Sequence, residues 1–165
     1  MGVNMRSAII MAAGKGTRMK SKLVKPMHKV LDKPMVEHIV DNLHKINVDK
    51  VVTIVGYGAE IVKEQLKDKC EYAIQTELSG TGKAVSYASQ LADFEGYTLV
   101  INGDCPLIQP ETYQMMFEEV KGCGMVVLSA ILEDPKAYGR IIRDQAGNFL
   151  KIVENKDCDI KQTIA

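Results

Sequence analysis

An apolar run, Ala8-Ile9-Ile10-Met11, leads without a break into Ala12-Ala13-Gly14-Lys15-Gly16-Thr17-Arg18-Met19. A short apolar run suits a buried parallel strand, and glycines just past its end let the backbone turn tightly and present N–H groups to an anion. Lys15, Arg18 and Lys25 place three cations within a few residues of that turn, a charge suited to a triphosphate rather than a neutral ligand. Ligands of open α/β sheets bind at the carboxyl ends of the strands. The pattern therefore predicts a phosphate site at that edge.

Of two better-known phosphate loops, one is excluded by spacing and the other is only weakly matched. A Walker-type loop ends in Gly-Lys-Ser/Thr, whereas Gly14-Lys15 is followed by Gly16 and Gly82-Lys83 by Ala84. The dinucleotide fingerprint needs a third glycine where Met19 stands, and its downstream acidic residue is only loosely matched by Glu37.

The rest of the chain alternates short apolar runs with amphipathic stretches. Strands are expected at residues 51–55, 71–74, 98–102 and 125–131, and helices at 35–45, 59–66, 82–91 and 110–121. Two further strands, 140–143 and 149–154, flank a Gly147-Asn148 turn and read as an antiparallel hairpin. This order predicts an α/β protein, a three-layer α/β/α sandwich around a mixed, mainly parallel, Rossmann-like sheet. At 165 residues the chain is expected to form a single domain, 1–165.

Lys plus Arg (21) balance Asp plus Glu (21), which argues against a nucleic-acid or membrane surface and leaves the N-terminal cations as a local feature. No stretch approaches a membrane span, and no signal-peptide core precedes the first strand, so a cytoplasmic protein is expected. Cys70, Cys105, Cys123 and Cys158 form no Cys-x-x-Cys pair and have no His at metal-ligand spacing. They are expected as free thiols, with Cys105 a small filler rather than a nucleophile.

Two more motifs carry chemistry. Asn102-Gly103-Asp104-Cys105-Pro106-Leu107 ends a strand with a carboxylate at the same sheet edge as the phosphate loop. Such a hard oxygen donor suits Mg2+, which binds one or two carboxylates and completes its shell with water and phosphate. The run Gln75-Thr76-Glu77-Leu78-Ser79-Gly80-Thr81-Gly82-Lys83-Ala84 offers an amide, hydroxyls and glycine backbone between a strand and a helix. Those groups can read a base edge, and Thr81 can equally serve as a helix N-cap.

Ala-Ala-Gly-x-Gly-Thr-Arg-Met with the downstream Lys25-Pro26 resembles the signature of the sugar nucleotidyltransferases. With the Gln75–Ala84 run, Gly-Asp-x-Pro-Leu, Tyr138-Gly139-Arg140-Ile141 and Ile152-Val153-Glu154-x-Lys156-Asp157, the chain is similar to the uridylyltransferase domain of the bacterial N-acetylglucosamine-1-phosphate uridyltransferases. The likeness runs from about Ser7 to Asp157.

The resemblance implies transfer of UMP from UTP to N-acetylglucosamine 1-phosphate, with Mg2+ as cofactor. It implies catalytic roles for Arg18 and Lys25 on the triphosphate, nucleotide contacts at Met11, Ala12, Ala13, Gly14, Gln75, Gly80 and Thr81, metal binding by Asp104, and amino-sugar contacts at Gly139 and Glu154. In the resembled proteins the domain continues beyond the equivalent of Gln162-Thr163-Ile164-Ala165, with an asparagine that is a second metal ligand. A C-terminal acetyltransferase domain follows in bifunctional members. The single domain is accordingly expected to be incomplete at its C-terminus, and any oligomer would form through that further domain. The product would serve peptidoglycan and lipopolysaccharide synthesis. Other readings from the residues are a nucleotidyltransferase of different base or sugar preference, and a nucleotide-binding fragment without catalysis.

Overall fold

Strand β1 (Met5–Met11) lies between two parallel neighbours, β4 (Lys50–Val55) and β6 (Gly96–Asn102), and β5 (Glu71–Ile74) extends the sheet beyond β4. The computed structural model describes residues 5–16, 19–77, 80–136 and 138–158. The chain divides into two compact units, Met1–Val126 and Val127–Ala165.

In the first unit the strand order β5-β4-β1-β6 is wholly parallel. Parallel strands are covered on both faces, which explains why β1 and β4 are near-continuously apolar rather than alternating. On one face Ala8 and Ile10 of β1 pack with Val36, Ile39, Val40 and Leu43 of α1 (Met35–Lys45). Val62 and Leu66 of α2 (Ala59–Leu66), and Tyr113 and Phe117 of α4 (Pro110–Cys123), complete that layer. On the other face Ile9, Ala13, Val52, Ile54 and Ala73 pack with Ala84 of α3 (Thr81–Val85) and with Ala88. Helices thus lie on both sides of a parallel sheet, the expected three-layer class. Fully buried Ile10, Ile39 and Ile54 each contribute about 1.5–3 kcal/mol of hydrophobic stabilisation.

Among the described residues, antiparallel pairing is confined to two small ladders. One joins β2 (Lys29–Val30) to β3 (Lys33–Pro34), which periodicity did not reveal. The other, in the second unit, joins β7 (Arg140–Arg143) to β8 (Phe149–Val153) with a register irregularity at Ile142/Arg143. The Asp144 carboxylate accepts from the N–H groups of Ala146 and Asn148, which shapes the expected Gly147-Asn148 turn.

Two expected elements differ. The helix over 82–91 is only Thr81–Val85, followed by a turn and a 3-10 segment, Ser89–Leu91. Ser86 Oγ donates to the Lys83 carbonyl at 2.8 Å, a local bond that competes with helix propagation. The N-cap is Gly80, at φ +100°, and Thr81 makes no capping bond. The apolar run 125–131 is not a strand. Met125, Leu128 and Ile131 are exposed, and β propensity yields a strand only where the run finds a partner and a surface to pack on.

Candidate functional site

The strand order reverses at β1: the chain moves outward from β1 to β4 and β5, then returns to place β6 on the opposite side. The crevice at the carboxyl ends of β1 and β6 is therefore the topological switch point, where open α/β sheets bind ligands. Residues 12–16 leave β1 at this point and Gly103-Asp104 leave β6 beside them. Met11 pairs with Asn102 in the ladder, and the Gly103 N–H donates to the Met11 carbonyl at 2.9 Å. A side chain at Gly103 would meet that carbonyl at 2.9 Å, so glycine is what lets the two turns approach.

The first turn is prepared for an anion. The Ala12 N–H is taken by the Ile54 carbonyl at 2.9 Å, whereas the N–H groups of Ala13, Gly14, Lys15 and Gly16 have no hydrogen-bond partner among the described residues. The methyl groups of Ala12 and Ala13 are buried in the two core faces, leaving main-chain groups as the turn's polar surface. Gly14 is exposed, with nothing among the described residues within 4 Å of where a Cβ would sit. Gly16 has φ +62°, and an added Cβ would lie 2.7 Å from Lys25 Cβ. The loop thus doubles back onto Lys25, with the Met19 N–H closing on the Gly16 carbonyl at 2.9 Å.

Lys25 Nζ is ion-paired with Asp104 Oδ2, both side chains about a third exposed. The other carboxylate oxygen faces Cys105, whose Sγ lies 3.8 Å from Oδ1. Burial and the adjacent Asp104 charge push the Cys105 thiol up; it stays protonated at neutral pH, in keeping with a filler. Among the described residues no group of three or more His, Cys, Asp or Glu side chains could by itself hold a metal ion. A lone hard carboxylate at a phosphate turn still fits Mg2+, whose other ligands are water and substrate phosphate. It does not fit zinc or calcium, which need several protein donors.

Gln75 follows β5, its N–H donating to the Val55 carbonyl at 2.8 Å. Its side chain is buried and donates through Nε2 to the Glu77 carbonyl at 2.7 Å. Gly56 brings it to the phosphate turn: a Cβ there would lie 3.0 Å from Ala13 Cβ and 3.3 Å from the Gln75 carbonyl oxygen. Ala13 and Gln75 therefore meet across a glycine that sequence reading passed over, although a glycine directly after a strand was the available signal. Gly80 and Thr81 open α3, and nothing among the described residues lies within 4 Å of where a Cβ on Gly80 would sit. Lys15 Nζ sits 5.8 Å from the centroid of the exposed Tyr57 ring, a cation–π contact that holds one turn cation at the rim. Arg18 lies outside the described residues.

The second unit brings its two expected residues together. Arg140 pairs with Val153 in the β7–β8 ladder, so Gly139 and Glu154 flank the same end of the hairpin. A Cβ on Gly139 would meet Ile152 Cγ2 and the Val153 carbonyl oxygen at 3.3 Å. Glu154 is exposed, and its carbonyl caps the 3-10 segment Asn155–Asp157 by accepting from the Asp157 N–H at 2.8 Å.

This arrangement agrees with comparison against known proteins. The family described as the MobA-like NTP transferase domain matches residues 8–149. The chain belongs to that family. The sequence is 52% identical over 155 residues to the bifunctional protein GlmU of Bacillus licheniformis, covering 92% of this chain and 34% of that protein. It is 51% identical over 160 residues to the same-named protein of Bacillus cereus, covering 95% and 35%. The chain thus spans about a third of the length of the curated relatives it matches. A HddC crystal structure from Yersinia pseudotuberculosis, complexed with GMP-PN, aligns with TM-score 0.65 and 25% identity over 91% of this chain and 69% of that one. A nucleotidyl transferase from Methanothermobacter shares the fold at TM-score 0.60 and 21% identity, over 70% of this chain and 58% of that one. The expected nucleotidyltransferase family and fold class are borne out. No helix among the described residues is long and apolar enough to cross a membrane.

Proposed function

We propose that the chain is the nucleotide-handling part of a uridylyltransferase that moves UMP from UTP onto N-acetylglucosamine 1-phosphate and releases pyrophosphate. The observation that carries this reading is the meeting of Lys25 and Asp104 at the β1/β6 switch point, beside a turn whose N–H groups from Ala13 to Gly16 have no partner among the described residues. The likeness to the Bacillus GlmU proteins, together with the motifs that resemble the uridylyltransferases, supports uridine and amino-sugar substrates within that class. The proposed domain spans 1–165 and is incomplete at its C-terminus.

In this reading the turn N–H groups of Gly14 to Gly16, with Arg18 and Lys25, hold the triphosphate, and Met11 to Gly14 line the nucleoside. Gln75, Gly80 and Thr81 select uracil, Gln75 through an amide whose Nε2 is already oriented by Glu77. Gly139 and Glu154 contact the amino-sugar. Mg2+ bound through Asp104 would supply charge neutralisation at the phosphate oxygens.

A phosphate oxygen of the sugar phosphate attacks the α-phosphorus of UTP, and the bond to the pyrophosphate oxygen breaks. With a second pKa of about 6, the attacking phosphate is already mostly dianionic at pH 7. The protein therefore needs no general base, and its residues position the reactants and neutralise developing charge. Lys25 moves from Asp104 to the triphosphate as the nucleotide binds, which frees the carboxylate. A nucleoside triphosphate substrate places the reaction in the cytoplasm, where its product would supply cell-envelope glycan synthesis.

Calorimetric titration with Mg-UTP, and with Mg-CTP and Mg-GTP as competitors, tests the reading. Selective UTP binding is expected. Preference for another base would overturn the roles given to Gln75, Gly80 and Thr81.

A further inference from the structure

Arg140 opens β7 at the position where the strand turns inward, and it is only 6% exposed, whereas Ile141 and Ile142 behind it are half-buried. A strand in a small hairpin ordinarily spends its most buried position on an apolar residue, because desolvating a guanidinium costs energy unless its N–H groups are bonded. Here the Nη groups reach two separate stretches of chain, while the buried Nε has no partner among the described residues. Nη1 donates to the Tyr138 carbonyl, and Nη2 lies 3.4 Å from both the Lys136 carbonyl and Asn155 Oδ1. Arg143, at the other end of the same strand, is exposed and donates to the Gly147 carbonyl in the turn.

The bonds of Arg140 thus fall on the segment that leads into Gly139 and on the residue that follows Glu154. A planar guanidinium can hold both at once, which a lysine ammonium cannot do with the same directionality. The backbone is also brought close from the other side, since Gly139 approaches the Val153 carbonyl more tightly than a side chain would allow without adjustment.

We infer that Arg140 is a positioning residue for the sugar subsite: its guanidinium braces the two chain segments that carry Gly139 and Glu154, so that both meet the amino-sugar in one geometry. This rests on the assignment of Gly139 and Glu154 to the sugar under the proposed function. Arg140 itself does not contact the substrate. Its loss would loosen sugar recognition while leaving recognition of the nucleotide alone, because the residues assigned to the nucleotide belong to the first unit.

Calorimetry on the 165-residue chain with UDP-N-acetylglucosamine and with UTP separates these effects, with thermal unfolding as the check on folding. Arg140→Lys, which keeps the charge and loses the fork, is expected to weaken UDP-N-acetylglucosamine about tenfold and UTP less than twofold, a fivefold to tenfold change in the ratio, roughly 1–1.4 kcal/mol. Asn155→Ala should weaken the sugar nucleotide selectively by about threefold, and Asn155→Asp, which keeps an acceptor at Oδ1, should stay within twofold of wild type. Equal weakening of both ligands, or an unchanged sugar nucleotide in the Arg140→Lys and Asn155→Ala variants, overturns the brace. If Arg140→Lys does not fold, the Asn155 pair decides by the same criterion. A wild-type chain that binds UTP but not UDP-N-acetylglucosamine overturns the sugar subsite itself, and the brace with it.

Discussion

Lys25 and Asp104 are 79 positions apart in sequence and form an ion pair at the mouth of the β1/β6 crevice. In the ligand-free chain the cation assigned to the triphosphate neutralises the carboxylate assigned to the metal. Removing that carboxylate by Asp104→Asn should release Lys25. UTP measured without metal is then expected to bind tighter by roughly 1.4-fold to fivefold, matching the 0.2–1 kcal/mol of a partly exposed ion pair. The extra affinity that Mg2+ confers on wild type should disappear. Lys25→Ala should instead weaken UTP about tenfold or more through loss of a charge-assisted bond. Titration with and without EDTA checks both; a variant lacking Asp104 that keeps the full Mg2+ effect would remove the residue from the metal's coordination.

Gly16 joins two constraints in one residue, a left-handed φ of +62° and a 2.7 Å approach of its would-be Cβ to Lys25. Gly16→Ala is expected to cost about 1–2 kcal/mol of stability and to displace Lys25. UTP affinity should fall about tenfold while the fold, read by circular dichroism, is retained. Gly14→Ala, where nothing among the described residues lies within 4 Å, should lower stability much less, and a reversed order in thermal melts would contradict the packing described.

Tyr113 is 1% exposed, and its hydroxyl has no hydrogen-bond partner among the described residues. Burial, with a contribution from Cys105, pushes it up to about 12. Because an unbonded buried hydroxyl is unfavourable, Tyr113→Phe should leave stability unchanged or raise it by up to about 1–2 kcal/mol. Denaturant unfolding measures this directly. Destabilisation by more than about 1 kcal/mol would mean the hydroxyl has a bonding partner in solution.

The carboxylates Glu37 and Asp41 share the Lys69 ammonium at 2.8 and 3.0 Å, Gln65 also bonding Glu37 and Lys33 bonding Asp41. Burial pushes both carboxyls up, but the hydrogen bonds outweigh it and hold them below their ordinary 4.5 and 3.8. Since the folded values are depressed, the stability contributed is complete above the unfolded values and is lost as pH falls through the folded ones. Lys69→Met should therefore lower the thermal midpoint at pH 7, by the equivalent of about 1 kcal/mol for a partly exposed cluster. That gap should narrow below about pH 4. A gap independent of pH would show that Lys69 acts through its packed methylene chain rather than its charge.

Part of the site was legible because it is local. Gly14, Gly16 and the nearby cations follow a strand directly, so the position of the phosphate turn required only the rule that strands of an open sheet present ligands at their carboxyl ends. Asp104 was placed the same way. The partnership of Lys25 with Asp104 was not legible, since it depends on β6 returning to the side of β1 opposite β4. Gly56 gave a weak signal, a glycine after a strand, and its role appears only when Ala13 and Gln75 are seen to meet across it.

The amino-acid order by itself determined the alternation of strands and helices, because periodicity and turn residues act within a few positions. It determined the family as well, through motifs that are contiguous. Only the tertiary structure decided which apolar runs became strands. Residues 98–102 and 125–131 look alike as short apolar runs, yet the first lies within β6 and pairs with β1, while the second remains outside any ladder. Only the tertiary structure, likewise, turned Arg140 from a charged strand residue into a buried bridge between Lys136 and Tyr138 on one side and Asn155 on the other. The reason is common to both: strand pairing and burial are properties of partners distant in sequence, and no local pattern encodes which partner arrives.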